Sequence, residues 1–197
     1  MSGAALDAVA QAQLFGDART YYSWADTPVT DADLRALHDL VKLGPTSANC
    51  SPMRLVYCRS DAARAKLAAC ASAANAPKIL SAPVTAIIGM DLRFYDRLPE
   101  LFPHADARAW FAGNDALIRE TAFRNSSLQG AYLIMAARTL GFDTGPMSGF
   151  DRAAVDAAFF AGTSIESNFL CSIGIGTTEK LFPRSPRPAF EDVVTLA

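Results

Sequence analysis

Polar side chains crowd the segment 44–52, which reads Gly-Pro-Thr-Ser-Ala-Asn-Cys-Ser-Pro. Thr46, Ser47 and Asn49 can each donate and accept hydrogen bonds, and two prolines restrict the backbone around them. A stiff loop with such side chains is suited to hold a flat polar ligand whose ring edge alternates donors and acceptors. The same residue types also build ordinary turns, so the segment could equally be a plain connector between a helix and a strand.

The elements around this segment follow from hydrophobic spacing and turn residues. Thr30 and Asp33 have the spacing of a capping box, and the helix that they begin ends at Gly44. Strands are predicted at 54–59, 82–90 and 169–176, the second buried on both faces because its apolar run is uninterrupted. Helices are predicted at 4–15, 62–72, 116–140 and 152–160. The aromatic-rich stretch 91–115, called the lid below, is predicted as a loop or lid with helical pieces, and 143–150 as a loop.

Composition bounds the class of protein. The 197 residues suffice for one domain with a substantial core, and no linker divides them, so a single domain over residues 1–197 is predicted. Charged residues make up 19%, against about 25% in a typical soluble chain, and residues 125–137 of the long helix carry no charge. A helix apolar on most faces belongs in a large core or a subunit interface, which favours an oligomer.

The charge and the hydropathy pattern also exclude partners. A net charge of −2 leaves no basic face, so neither nucleic acid nor an anionic membrane is expected to bind. No apolar run approaches the ~18 residues that span a bilayer, and the first residues lack the pattern of a signal peptide. A cytoplasmic protein is therefore predicted.

Several common chemistries do not fit the sequence. Gly174-Ile175-Gly176 begins like a dinucleotide-binding fingerprint, but Glu179 stands where the third glycine belongs. The four cysteines lack C-x-x-C spacing and there are two histidines, so no metal site is predicted and the thiols are expected to be reduced and mostly buried. His38, within the second predicted helix, is expected to be a surface or packing residue.

Four motifs, in order along the chain, resemble the nitroreductase family of FMN-dependent oxidoreductases. Segment 45–52 is similar to the family's Pro-Ser-Ser-x-Asn-x-Gln-Pro, and Ala18-Arg19-Thr20 to its Arg-Arg-Ser segment. Asn75 and Lys78 match its Asn-x-x-Lys, and segment 185–188, Ser-Pro-Arg-Pro, resembles its Lys-x-Arg signature. Longer blocks at 44–52, 101–108, 123–127 and 143–151 resemble the subgroup of malonic semialdehyde reductases of the pyrimidine-utilisation pathway.

The resemblance implies an α+β fold with a central, mostly antiparallel sheet flanked by helices, in an intertwined homodimer with two FMN molecules at its interface. The uncharged helix would then form the dimer core, and the tail at 177–197 would be an arm across the partner. The implied FMN ligands are Arg19, Thr20, Arg184 and Arg187 for the phosphate, Asn75 and Lys78 for the ring edge, Pro45, Thr46, Ser47 and Asn49 from the other subunit, and Pro146, Met147, Ser148 and Gly149 near N5.

Two positions depart from the family pattern at the phosphate. Tyr22 stands where a second basic residue is usual, and Ser185 where a lysine is usual. Lys180 or Arg184 could compensate. At the ring, Lys78 would stabilise the negative charge that reduction spreads over N1 and the C2 carbonyl. Without the family match, Lys78 would instead be taken for a solvated surface lysine.

The substrate implied by the subgroup carries a carboxylate, so its site needs a cation. Arg108, in the lid, is the first candidate and Arg124 the second, with His104 as a candidate proton donor to the nascent alkoxide. The alternative is that Arg108 and His104 only make contacts within the lid. No other catalytic residue is assigned.

The resemblance thus implies an enzyme that takes hydride from NADPH or NADH and reduces malonic semialdehyde (3-oxopropanoate) to 3-hydroxypropanoate in pyrimidine degradation. One alternative is a general nitroarene or quinone reductase of the same family. Another is a flavin-binding protein without turnover, against which the intact Asn75 and Lys78 pair argues.

Overall fold

A four-stranded antiparallel sheet forms the centre of the protein in the computed structural model, which describes residues 3–197. The strands are ordered β1-β2-β4-β3, and each neighbouring pair is antiparallel, as predicted. Their bounds are Met53–Cys58 (β1), Val84–Asp91 (β2), Asp143–Met147 (β3) and Ile165–Gly174 (β4).

Eight helices and several short turns surround the sheet in the described part of the chain. The helices are Ala8–Gln11 (α1), Asp31–Val41 (α2), Asp61–Ala68 (α3), Ala76–Ser81 (α4), Leu98–Leu101 (α5), Asp115–Thr139 (α6), Arg152–Phe159 (α7) and Phe190–Val193 (α8); α1 continues into a π-helical turn at Ala12–Gly16, and 3₁₀ turns lie at Ser47–Asn49, Phe94–Arg97, Ala107–Trp110 and Thr178–Lys180.

Helices cover both faces of the sheet, because β2 and β4 are apolar on each side. On one face, Leu37 of α2 and Leu133 of α6 pack with Ile88 of β2. On the other, Leu67 of α3 and Val155 of α7 pack with Ile87, the neighbour of Ile88. The prediction that the second strand is buried on both faces is confirmed.

The helix predicted from Thr30 is confirmed by its cap. The Thr30 side chain accepts a hydrogen bond from the N–H of Asp33, and the Asp33 carboxylate accepts one from the N–H of Thr30 (2.8 Å). This reciprocal pairing satisfies two backbone donors at the start of α2. Leu37 and Val41 are buried, whereas His38 is exposed, as expected for a surface residue.

The prediction of a loop at 143–150 is wrong, because residues 143–147 form strand β3. Gly145 and Pro146 argue against a strand, yet β3 lies at the edge of the sheet, where proline is tolerated because its missing N–H is not needed by an outer neighbour. The strand predicted at 169–176 runs instead from Ile165 to Gly174. Its first half was missed because Glu166, Ser167 and Asn168 are polar.

Two helix predictions were too long. The helix predicted at 4–15 is α-helical only over Ala8–Gln11 before the π-helical turn, and Leu6 and Val9 are exposed rather than packed. The helix predicted at 62–72 ends at Ala68, after which residues 69–72 form a turn and a bridge to Phe150. At residues 69–72, contacts with the loop after β3 override the helix preference of the alanine-rich sequence. At the N-terminus, α1 begins only after Asp7, whose side chain caps it.

The segment 44–52 is held in shape by two buried amide side chains of α6. The backbone N–H of Ser47 donates to Oδ1 of Asn125 (2.8 Å), and the N–H of Met53 donates to Oε1 of Gln129 (2.9 Å). Asn125 and Gln129 lie four residues apart and so share one face of the helix. Both are buried, with 0% and 6% exposure, although they fall in the stretch predicted to be apolar.

This anchoring matters because the segment has an unusual backbone. Ala48, Asn49 and Ser51 all have positive φ values (48°, 49° and 38°), a region that residues other than glycine rarely occupy. Each such residue costs free energy, so surrounding contacts must fix the conformation. The side chain of Asn49 adds one more contact, donating to the carbonyl of Leu101 (2.8 Å) and joining the segment to the lid.

We expect the substitution Asn125→Leu to lower the free energy of unfolding by about 1–3 kcal/mol, because it leaves the N–H of Ser47 without its acceptor. The measurement is urea denaturation at a fixed protein concentration. The control is Thr139→Ala on the same helix, whose hydroxyl bonds only the carbonyl of Met135 and should change stability by less than about 0.5 kcal/mol. Equal effects of the two substitutions would contradict the anchoring role of Asn125.

Candidate functional site

Two parts of the chain meet at the start of α4: Asn75 and Lys78, at its N-cap and in its first turn, and Gly149 from the loop after β3. The ammonium of Lys78 donates to Oδ1 of Asn75 (2.9 Å), and Nδ2 of Asn75 donates to the carbonyl of Gly149 (3.0 Å). Asn75 is buried and Lys78 is half-buried, so Lys78 is not a freely solvated lysine. The chain thus presents a cation and an amide at one place, next to the loop after β3.

Glycine is required at position 149 by this arrangement. A Cβ atom there would lie 2.7 Å from Nδ2 of Asn75 and 3.1 Å from Oγ of Ser72. A Cβ atom does not approach another atom as closely as 2.7 Å, so a larger residue would displace the Asn75 side chain. The close approach of backbone and amide therefore depends on Gly149, one of the residues that the sequence predicted for the site.

Tyr22 fills the space beside Lys78. The Lys78 ammonium lies 4.4 Å from the centre of the Tyr22 ring, and the Tyr22 ring packs edge-on against Phe182 at 6.1 Å. Tyr22, Lys78 and Phe182 line a cleft of about 500 Å³ together with residues 179–181. The residue that departs from the family pattern is therefore a packing partner of the lysine.

A second cleft, of about 350 Å³, shares Tyr22 and Phe182 with the first and is lined by arginines. We call it the arginine cleft. Its cationic residues are Arg19, Arg138, Arg184 and Arg187, and Thr20 also lines it. Three of these arginines were predicted from the sequence and are brought together from the two ends of the chain. Lys180 lines only the neighbouring cleft.

The arginines of the cleft bind backbone carbonyls rather than carboxylates. Arg19 donates to the carbonyl of Phe182, Arg184 to that of Ala18 (3.0 Å), and Arg187 to that of Ser185 (3.0 Å). Among residues 3–197, none of the four forms a salt bridge. Several guanidinium groups without counter-charges form a site for an anion, and their planar forks match phosphate oxygens.

Arg138 was missed by the sequence analysis. It lies in the last turn of α6, directly after the uncharged stretch, and its Nη1 donates to the carbonyl of Leu14 (2.8 Å). Burial lowers the pKa of its guanidinium. No local motif marks this position. The only sequence signal for Arg138 is its position in the last turn of a long helix, directly after thirteen uncharged residues.

The predicted residues of segment 44–52 lie elsewhere in the same chain. Pro45, Thr46, Ser47 and Asn49 precede β1 at one edge of the sheet, while Gly149 follows β3 at the opposite edge. The two edge strands are three strand spacings apart, about 14 Å. Within one chain, the structure gives no hydrogen bond between this segment and Asn75, Lys78 or the arginine cleft in residues 3–197.

The remaining predicted residues near N5 belong to the end of β3 and the loop after it. Met147 is buried and packs with Ile87 and Leu170, whereas Pro146 and Ser148 are exposed. Met147 therefore anchors the strand, and the exposed Pro146 and Ser148 remain accessible beside Gly149.

The lid candidates form their own contacts. Nε of Arg108 donates to Oδ1 of Asp96 (3.3 Å), and its guanidinium lies 5.9 Å from the centre of the Tyr95 ring. His104 packs edge-on against Phe102, with the ring centres 5.4 Å apart. Arg124, on the exposed face of α6, pairs with Glu120. These contacts match the alternative that Arg108 and His104 interact within the lid, although the terminal nitrogens of Arg108 have no hydrogen bond within residues 3–197.

Three of the four cysteines are poorly suited to act as nucleophiles. Burial raises the pKa of Cys50 and Cys58 to about 11 and that of Cys171 to about 12, so these thiols stay protonated at neutral pH. Cys70 is half-buried, and all four cysteines are free, which confirms the expectation of mostly buried thiols. In residues 3–197, no group of His, Cys, Asp and Glu side chains could hold a metal ion.

No helix in the described part of the chain has the length and apolar character needed to cross a bilayer.

Comparison with solved structures supports the fold. A nitroreductase from Bacillus subtilis, ydfN, superimposes with a TM-score of 0.84 at 22% identity, covering 97% of this chain and 100% of the other. A nitroreductase from Exiguobacterium sibiricum, solved in complex with FMN, gives a TM-score of 0.84 at 18% identity and covers 100% of both chains. The predicted nitroreductase-like fold is confirmed.

Sequence comparison identifies the family. The model of the nitroreductase family matches residues 17–177. A Burkholderia lata protein with the provisional name NADH dehydrogenase/NAD(P)H nitroreductase is 61% identical over 196 residues, covering 100% of this chain and 98% of the relative. The Ralstonia pickettii protein HadB, with the same provisional name, is 58% identical over 192 residues, covering 96% and 98%. The chain therefore belongs to the nitroreductase family.

Proposed function

We propose that the protein is an FMN-dependent oxidoreductase that uses NADPH or NADH to reduce malonic semialdehyde to 3-hydroxypropanoate. The observation that carries the flavin part of this proposal is that the two clefts are adjacent, since Tyr22 and Phe182 line both. Four arginines without carboxylate partners line one cleft, and Lys78, which is bonded to Asn75, lines the other. When bound, FMN would accept hydride from the nicotinamide and pass it to the acceptor.

The arginine cleft fits the phosphate end of this cofactor. A phosphate monoester carries up to two negative charges at neutral pH and offers oxygens to guanidinium donors. Arg19, Arg184 and Arg187 would hold it, and Thr20 would add a hydroxyl. The cleft has no carboxylate among its lining residues, so nothing in it repels an anion. The cofactor would thereby be fixed at the end that does no chemistry.

The Asn75 and Lys78 pair fits the edge of the flavin ring. The amide of Asn75 can donate and accept, as the N3 and O4 edge requires, and the ammonium of Lys78 can face N1 and the C2 carbonyl. A cation there stabilises the negative charge of the reduced ring and so raises its reduction potential. Gly149 would let the loop after β3 approach the ring without side-chain bulk.

The names of similar proteins support the same chemistry. The B. lata and R. pickettii relatives are named as NAD(P)H nitroreductases, and the E. sibiricum structure with this fold was solved in complex with FMN. These names agree with FMN as cofactor and with a nicotinamide as hydride donor. They do not specify malonic semialdehyde, which rests on the resemblance of four sequence blocks.

We further propose a homodimer that completes the FMN site. Thr46, Ser47 and Asn49 precede β1, at the sheet edge opposite the strand that Gly149 follows, and a partner would supply them to the ring. The exposed face of α6 is suited to such an interface, since Phe123, Leu128 and Tyr132 are 51%, 44% and 42% exposed. The tail is also apolar and exposed at Phe182, Phe190, Val193 and Leu196, as an arm lying on a partner would be.

The substrate carboxylate would bind Arg108. Among residues 3–197, Nε alone of the Arg108 nitrogens is hydrogen-bonded, so both terminal nitrogens can bind a carboxylate side by side. Arg124 is the second candidate, although Glu120 already neutralises it. His104 would donate the proton to the nascent alkoxide. We propose these roles for the three residues. We also propose a single domain over residues 1–197 and a cytoplasmic location.

A general nitroarene or quinone reductase is the second candidate function. The names of the relatives favour it, and so does the pairing of Arg108 with Asp96, which offsets part of the charge offered to a carboxylate. Both functions use the same flavin site and differ only in the lid. An experiment on the reduced flavin separates them.

The separating measurement is anaerobic. After the bound flavin has been reduced with NADPH, we expect 3-oxopropanoate to restore the visible absorbance of the oxidised flavin promptly. The control acceptor is propanal, which has the aldehyde without the carboxylate and should react more slowly. If the flavin stays reduced until a quinone or nitroarene is added, the general reductase is the correct function.

The substitution Arg108→Ala tests the carboxylate site. We expect it to raise the KM for 3-oxopropanoate roughly 10- to 100-fold, the effect of losing a hydrogen bond between charged groups, and to change the KM for an uncharged quinone little. Arg93→Ala is the matched control, because Arg93 pairs with the same Asp96 on the lid. Similar effects of Arg108→Ala on both substrates would exclude Arg108 as the carboxylate ligand.

A further inference from the structure

Arg138 completes the arginine cleft from a part of the chain that the family motifs do not include. We propose that Arg138 binds the phosphate of FMN, in place of the basic side chain whose usual position is taken by Tyr22. This inference rests on the proposed FMN function. It assigns a cofactor contact to α6, the helix that also anchors segment 44–52 through Asn125 and Gln129.

The position of Arg138 is fixed from two sides. Its Nη1 donates to the carbonyl of Leu14 (2.8 Å), and its own carbonyl accepts from Nε2 of Gln13 (2.6 Å). These bonds join the end of α6 to the π-helical turn before Arg19. Within residues 3–197, Nε and Nη2 of Arg138 make no hydrogen bond, so these donors remain for a ligand in the cleft.

The charge of Arg138 lacks a counter-ion. The side chain is half-buried, and burial lowers the pKa of its guanidinium, which means that the charged form loses hydration. Asp143 and Cys171 act on it only at a distance, and no carboxylate of residues 3–197 lies within 4.0 Å. The dipole of α6 stabilises a cation in the last turn but satisfies none of the unbonded donors.

The comparison with other arginines shows how unusual this cleft is. Most arginines of the described chain pair with a carboxylate. The exceptions are Arg35 and the four arginines of the cleft. Surface arginines without partners would be scattered if their positions had no function, yet four of these five line one cavity. The arginines paired with carboxylates are Arg54, Arg59, Arg64, Arg93, Arg97, Arg108, Arg119, Arg124 and Arg152.

The departure at Tyr22 fits this assignment. The Tyr22 ring packs against Phe182 and under the Lys78 ammonium, so it cannot be exchanged for a phosphate-binding cation without losing those contacts. Arg138, in the last turn of α6, lines the same cleft as Tyr22 and supplies the positive charge that Tyr22 lacks. The basic side chain that the family pattern has in the N-terminal segment is thus replaced by Arg138 in the last turn of α6.

The test compares FMN with riboflavin, which lacks the phosphate. Apo-protein is titrated with each flavin, and binding is followed by quenching of flavin fluorescence. We expect Arg138→Gln to weaken FMN binding roughly 10- to 100-fold, as for a lost hydrogen bond to a charged group, and to change riboflavin binding less than about threefold. Arg138→Lys, which keeps the charge without the fork, should fall between wild type and Arg138→Gln.

Arg35→Gln is the matched control, because Arg35 is also without a carboxylate partner but lies on α2 outside the cleft. It should leave both affinities unchanged. An unchanged preference for FMN over riboflavin in Arg138→Gln would overturn the assignment, and so would an equal loss for both flavins, which would mark a role in folding. If the wild-type protein binds neither flavin, the proposed FMN function itself fails.

Discussion

Repulsion among the four arginines of the arginine cleft is the physical constraint on which this structure depends. Arg19, Arg138, Arg184 and Arg187 line one cleft without a carboxylate among its lining residues, and repulsion between them opposes folding unless an anion joins them. Each of the four donates to a backbone carbonyl in one of the two terminal segments, so the cleft is built from both ends of the chain. A phosphate would relieve the repulsion and hold the ends together, coupling cofactor binding to the fold.

The sheet separates the two halves of the proposed site. Asn75 and Lys78 gather with Gly149, which follows the edge strand β3, whereas segment 44–52 precedes β1 at the other edge. Helix α6 connects these regions, because it anchors the segment through Asn125 and Gln129 and carries Arg138 of the arginine cleft in its last turn. The same helix exposes an apolar face. In the proposed homodimer, formed on that face, each segment 44–52 would serve the cleft of the partner.

Local signals were sufficient to predict much of the fold. Thr30 and Asp33 mark the start of α2 because a capping box is a contact between near neighbours, and the apolar run of β2 follows from burial on two faces. Strand β3 was missed because only its edge position makes Pro146 tolerable. Arg138, Asn125 and Gln129 were missed because their partners lie far away in sequence, and the residue motifs that located Asn75 and Lys78 came from family resemblance.

The central claim, that each FMN site combines two chains, is tested most directly by a heterodimer of two defective subunits. One subunit carries Arg19→Glu in the arginine cleft, and the other carries Ser47→Trp in segment 44–52. Neither homodimer should hold FMN. If the site is shared, the heterodimer contains one site with both defects and one with none, so one FMN per heterodimer is predicted. If each site lies within one chain, both sites are damaged, and a heterodimer without FMN would contradict the account.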